Sequence, residues 1–292
     1  LLAANGQFHS HLDAVAMMAA DARGRLRWLR QHAREQSRRA VDAILGPDPV
    51  PDGEARDHLA HHAVREEFIR RPWMVRGMPV EGVEHLQRAH ATGRGVLVSY
   101  CHLGPFPGLG VTAAEHAGDV HQVALAWLAN PQPDPSQRER WQAWRSMFTA
   151  AGVPLIAAKG AFPVVHDLLT RGAVVVMAFD WPGSAETLFL DRPVALASGT
   201  ARLSHMTGAL VVPVMRYFQG WRPRTVFGPP IDPARHAAWP GVHVAVAARH
   251  ERWILQQPAA LEDPRRTAAW EASATALRWG EPFAERQAHH AA

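Results

Sequence analysis

Gly93-Arg-Gly-Val-Leu-Val-Ser-Tyr100-Cys-His-Leu-Gly-Pro-Phe-Pro-Gly-Leu-Gly110 is the stretch on which the fold turns. Val96–Tyr100 is a short, largely apolar run between a glycine and a Gly/Pro-rich turn, the pattern of a strand buried on both faces. His102 follows the strand almost at once, and the turn behind it leads into a helix. In open α/β sheets, ligands gather beyond the carboxyl ends of the strands. A histidine placed there can meet a substrate hydroxyl while backbone N–H groups approach an anion. One of 18 histidines near a strand end is unremarkable, so this feature alone supports a structural role as well as a catalytic one.

The pattern continues outward. Strand candidates at residues 122–128, 154–157, 173–178, 188–190, 209–218 and 225–227 alternate with helical stretches. Those stretches are 84–92, 136–151, 160–170, 199–207, 242–257 and 264–278. Apolar strands interleaved with amphipathic helices predict an α/β fold, a central, mostly parallel or mixed sheet flanked by helices. Ahead of it, residues 11–45 read as helix, with Gly24 a candidate interruption. A Pro/Asp-rich loop at 46–53 precedes a second helix at 54–71, stopped by Pro72. The expectation is one domain over residues 1–292, with a helical N-terminal extension at 1–72 and an α/β core at 73–283. The tail at 284–292 reads as disordered.

Composition narrows the function. Of the 292 residues, 47% are apolar, enough for a sizeable core. The longest apolar runs, 173–179 and 209–215, fall far short of the roughly 20 residues that span a bilayer. No secretory pattern opens the sequence, and the single cysteine, Cys101, excludes an internal disulfide framework or a Cys-rich metal site. The expected location is cytoplasmic, including the inner face of the membrane. The net charge is +4, with Lys159 the sole lysine. Arg23, Arg25, Arg27, Arg30, Arg34, Arg38 and Arg39 surround Leu26, Trp28 and Leu29. Such a segment suits an anionic membrane surface, or equally a solvated helix face. No nucleic-acid motif accompanies the charge, so nucleic acid is not an expected partner. Walker, dinucleotide, His-Glu-x-x-His and Gly-x-Ser-x-Gly patterns are absent. The pairs His61-His62 and His289-His290 have poor geometry for one metal on a helix, so no metal is expected.

Four blocks in order carry a resemblance. Gly95–Tyr100 with His102-Leu-Gly104 is the first. Ala173-Val-Val-Val-Met-Ala-Phe-Asp180 with Thr187-Leu-Phe-Leu-Asp-Arg-Pro193 is the second. Gly199-Thr-Ala-Arg-Leu203 and Thr207-Gly-Ala-Leu-Val-Val-Pro-Val214 complete the set. Over about residues 76–230 the chain resembles the lysophospholipid-type acyltransferases, especially the bacterial branch acting on lipid A and phosphatidylinositol mannosides. The resemblance implies acyl transfer, with the histidine as general base and an acid five positions later orienting its ring. Here position 107 is Pro107, preceded by Pro105 and Phe106. A proline side chain accepts no hydrogen bond, so the partner of His102 must come from elsewhere. The resemblance to the phosphatidylinositol-mannoside branch points to Asp180, beyond the 173–178 strand. The alternative is that Asp180 merely opens the Asp180-Trp-Pro-Gly183 turn.

The expected catalytic pair is therefore His102 and Asp180, with substrate held by Tyr100, Gly104, Trp127, Trp181 and Arg192. Arg192 falls in a loop where relatives place substrate-binding groups, and a planar guanidinium suits phosphate; Arg202, inside a helix, reads as solvated. Glu186 and Asp191 read as surface turns and Cys101 as a buried small residue. Trp127, Trp141, Trp144 and Phe148 would line an acyl tunnel or, as is usual for aromatics at helical spacing, form core. The favoured function is an acyltransferase moving an acyl group from a CoA or carrier-protein thioester to a hydroxyl or amine. The acceptor is a lipid or a small molecule, and no cofactor is needed beyond the acyl-CoA or acyl-carrier-protein co-substrate. Two alternatives stand beside it. One is the same fold recruited for a condensation or cyclisation in a natural-product pathway; the other is a non-catalytic lipid-binding or scaffold subunit.

Overall fold

Strand β2 (Val96–Tyr100) is buried along its whole length and occupies the middle of a seven-stranded sheet. The computed structural model describes residues 11–45, 51–124, 138–261 and 267–271. Across the sheet the strands run β1 (Val80–Glu81), β9 (Arg222–Phe227), β8 (Leu210–Gln219), β2, β5 (Val174–Ala178), β3 (Val120–Ala124) and β4 (Leu155–Ala157). Neighbours are parallel except for β8 and β9, which form an antiparallel pair. This is the mixed, mostly parallel α/β sheet expected from the alternating pattern. Parallel strands need crossovers, and these supply helices to both faces.

Side-chain parity sorts the core into two layers. Leu97, Val175 and Val211 face α7 (Ala161–Thr170), α8 (Gly199–Thr207) and α9 (Trp239–Gln256). Val98, Val176 and Val212 face α4 (Val83–Ala91), α5 (Leu109–Ala114) and α6 (Arg138–Ala150). Each fully buried aliphatic side chain contributes roughly 1.5–3 kcal/mol. Trp144 and Phe148 belong to the second layer, and Trp144 Nε1–H donates to Ile69 O at 2.9 Å, so core is the correct reading of both. Trp127, the pair His289-His290 and most of the 264–278 stretch lie outside the described residues.

The extension consists of α1 (His11–Leu26), α2 (Gln31–Leu45) and α3 (Asp52–Ile69), with both earlier helices packed on α3. Gly24 does not interrupt α1. It is buried against α3, where an added Cβ would stand 2.5 Å from Ala60 Cα, so its role is close approach rather than a break. The break comes later, in a 3₁₀ turn at Arg27–Leu29 and an extended Arg30. Three of the seven arginines of the run are paired within this layer. Arg25 pairs with Asp21 (3.0 Å) and Asp57 (2.6 Å), Arg38 with Asp52 (2.6 Å) and Arg23 with Glu67 (3.4 Å). No helix among the described residues is long and apolar enough to cross a membrane.

A separate antiparallel ribbon joins β6 (Pro182–Phe189) to β7 (Arg192–Leu196). Its turn residues, Leu190 and Asp191, both have positive φ (54° and 55°), the geometry of a tight two-residue hairpin. Only residues 188–190 were expected as strand, because the rest of β6 carries Gly183, Ser184 and Glu186. Arg192 accordingly opens a strand instead of sitting in a loop.

Two histidines of α9 lie inside the first layer. His243 and His250 pack against Phe179 with ring centroids 5.0 and 5.4 Å away, and His250 Nε2 meets Ser99 Oγ at 3.0 Å. Burial pushes both imidazoles from 6.5 down to about 4. Above pH 6.5 folded and unfolded chains are both neutral at these sites, and no proton linkage operates. Between pH 6.5 and about 4 the unfolded chain binds protons that the folded chain refuses, so stability falls across that window and levels below it. Urea midpoints taken from pH 7 to 4 should show this loss. A His243→Phe variant should show a shallower one.

Candidate active site

β2 and β5 place the site. They pair in register from Val96↔Val174 to Tyr100↔Ala178, and His102 and Asp180 each follow two residues beyond that last pair. Phe179 N–H donates to Tyr100 O at 2.7 Å, prolonging the ladder by one bond. A tight turn then follows, with Leu103 N–H on Cys101 O at 2.7 Å and His102 at its apex. Cys101 itself is buried in the first core layer, as expected.

Asp180 holds His102 at two points. His102 Nδ1–H donates to Oδ1 at 2.6 Å, and the His102 backbone N–H donates to Oδ2 at 2.9 Å. An ionised carboxylate only accepts, so a ring proton sits on Nδ1, and in the neutral ring Nε2 carries the lone pair. Asp180 is fully buried and His102 is 5% exposed. The expected pair is thus brought together across 78 residues, and Asp180 does more than open a turn.

Three aromatic rings surround the imidazole. Phe106 meets it edge-on at 4.5 Å, Trp181 stands nearly perpendicular at 5.5 Å, and Tyr100 lies 5.6 Å away, stacked on Phe106. Of the proposed substrate-binding residues, Tyr100 and Trp181 therefore line the His102 ring. Gly104 contributes differently. Its N–H is engaged by Ala260 O at 2.8 Å, its φ is +59°, and an added Cβ would lie 2.2 Å from Arg216 O. It lets the turn press against β8 and does not offer an N–H to substrate. Arg192 is engaged too, by Ala43 O and by the Glu271 carboxylate at 3.4 Å, which ties the ribbon to α2. Arg202 lies over Trp239 at 5.8 Å. No group of three or more metal-ligating side chains forms among the described residues.

Arg216 is the residue that sequence reading missed. It is 0% exposed, and each donor atom of its guanidinium is used. Nη1 donates to Pro107 O (2.7 Å) and Pro105 O (3.3 Å), Nη2 to Thr112 Oγ1 (2.6 Å) and Nε to Thr225 Oγ1 (2.9 Å). This cation thus grips the Pro105–Pro107 turn through its backbone carbonyls. Burial pushes the guanidinium down to about 9, so it stays charged at neutral pH. The signal was visible as one arginine within the apolar Leu210–Phe218 run. Arg216→Met keeps the bulk and strips four hydrogen bonds. It should destabilise the protein by roughly 2–4 kcal/mol in equilibrium urea unfolding, and Arg216→Lys should recover only part of that.

Residues 59–260 match the profile of the bacterial lipid A biosynthesis acyltransferase family. A phosphatidylinositol mannoside acyltransferase from Mycolicibacterium smegmatis is 28% identical over 198 residues, a match covering 64% of each chain, just under two thirds of that relative's length. The crystal structure of the 1-acyl-sn-glycerophosphate acyltransferase PlsC from Thermotoga maritima aligns over 85% of this chain and 97% of its own. That alignment has 12% identity and a TM-score of 0.43. On the extent of the profile match, which takes in the whole sheet with its His102 turn and Asp180, the chain belongs to the bacterial lipid A biosynthesis acyltransferase family.

Proposed function

We propose that this chain is an acyltransferase in which His102 is the general base and Asp180 its orienting partner. The observation that carries the reading is the 2.6 Å contact between Nδ1 and Oδ1, reinforced by the backbone bond to the other carboxylate oxygen. In the proposed reaction Nε2 removes the proton of an acceptor hydroxyl or amine as that group attacks a thioester carbonyl. The tetrahedral oxyanion collapses, the carbon–sulfur bond breaks, and the departing thiolate takes the proton back from the imidazolium. Asp180 stabilises that imidazolium and keeps the ring in the productive tautomer. The donor is an acyl-CoA or acyl-carrier-protein thioester, and the apolar rings of Phe106 and Trp181 offer the acyl group a dry surface beside the base.

The acceptor side is read as a lipid at an anionic membrane surface, on the cytoplasmic side. What supports it is the outer face of α1 and the turn after it. Leu12 and Leu29 are each 78% exposed, and Val15, Met18 and Leu26 are 55%, 43% and 62% exposed along the segment. Arg27, Arg30 and Arg39 are exposed around the same layer. An apolar stripe flanked by cations lies comfortably in a headgroup interface.

Two measurements test these readings. Thiol release from acyl-CoA and acyl-carrier-protein donors should depend on acceptor and fall about 10³–10⁴-fold in His102→Ala and Asp180→Asn. No release from any donor with a folded protein would instead favour a recruited condensation or a binding role. Co-sedimentation with anionic vesicles should be salt-sensitive and lost in the Leu26→Asp/Leu29→Asp double variant, whereas neutral phosphatidylcholine vesicles should retain little protein.

A further inference from the structure

The sheet holds His102 and Asp180 only up to the Phe179–Tyr100 bond, and beyond it the backbone must be fixed by something else. Two described segments, 259–261 and 267–271, reach them. Gly104 N–H donates to Ala260 O at 2.8 Å, and Leu103 forms an antiparallel bridge with Leu261, which pins the chain directly behind His102. Trp270 Nε1–H donates to the backbone carbonyl of Asp180 at 2.9 Å. That indole is 1% exposed and stands edge-on to Phe189 at 5.4 Å.

We infer that Trp270 is a positioning residue for the His102–Asp180 couple. This inference rests on the reading of His102 as the base. The carbonyl it anchors belongs to the peptide linking Asp180 to Trp181, so a single hydrogen bond bears on two side chains that face the imidazole. If that peptide turns, the carboxylate stem swings and the Trp181 ring leaves its perpendicular stance. The next carbonyl, Trp181 O, is held separately by Ala197 N–H at 2.8 Å, so Trp270 supplies the upstream support of a short segment gripped at both ends. Both segments are secured in turn, with the His58 ring at 3.1 Å from Ala259 O and Glu271 paired to Arg192 at 3.4 Å. A purely space-filling tryptophan would need the ring but not the N–H.

The full chain carrying Trp270→Phe removes the donor and keeps an aromatic ring. Should Phe pack poorly, 3-benzothienylalanine at position 270 exchanges only N–H for sulfur. Two readouts are taken together. One is the low-field proton resonance of the His102 Nδ1–H···Asp180 bond, identified by its loss in Asp180→Asn. The other is steady-state acyl transfer. With native circular dichroism retained, the expected result is a displaced or broadened resonance and a kcat roughly tenfold lower at unchanged KM. A folded variant with the wild-type resonance and wild-type kcat overturns the inference. If the wild type shows the resonance but transfers no acyl group, the assigned reaction fails, and the resonance alone decides whether Trp270 sets the geometry.

Discussion

The in-register pairing of β2 with β5 is the constraint on which the site depends. Adjacent strands lie about 4.8 Å apart, a gap that one histidine and one aspartate side chain can close. Because the last pair is Tyr100↔Ala178, equal steps of two residues bring His102 and Asp180 face to face. A slip of one residue would send one of them to the opposite face of the sheet. The register is guarded by burial on both sides, since Leu97 and Val175 belong to one apolar layer and Val98 and Val176 to the other. Core packing and the alignment of His102 with Asp180 are therefore one specification.

The turn after His102 solves a different problem. Pro105 and Pro107 lack N–H groups, so the turn has few donors of its own and an excess of outward carbonyls. Arg216 meets two of those carbonyls from within the core, where an unsatisfied cation would be costly. It is tolerated because Thr112 and Thr225 occupy the remaining directions of the guanidinium. Gly104 completes the fit, since only a residue without a Cβ lets the turn approach the Arg216 carbonyl.

The legible features were those with a local cause. The apolar run of β2, the helix Gly199–Thr207 and the helical prelude follow from period and punctuation within a few residues. Asp180 could be placed at the right sheet edge from its strand, but its grip on His102 depends on β5 lying beside β2, which periodicity does not encode. Arg192 was misplaced because the hairpin before it turns at Leu190 and Asp191, without the glycine that usually signals positive φ. Gly24 looked like a break because spacing along one helix says nothing of a second helix packed against it. Trp270 left no trace at all, since its partner is a backbone carbonyl 90 residues away. The arginine run was conspicuous, yet its meaning changed once Asp21, Asp52, Asp57 and Glu67 were found across from it.

An acid five residues from its histidine can find it within a single turn, formed early and locally. Here the partners are 78 residues apart, and the intervening chain includes β3, β4 and their crossover helices. Closing so long a loop carries an entropic penalty that only the assembled sheet offsets. A nascent chain that ends before β5 cannot form the couple. The His102–Asp180 contact therefore forms late in folding, at the step where non-local strands pair, and is surrendered as soon as they part.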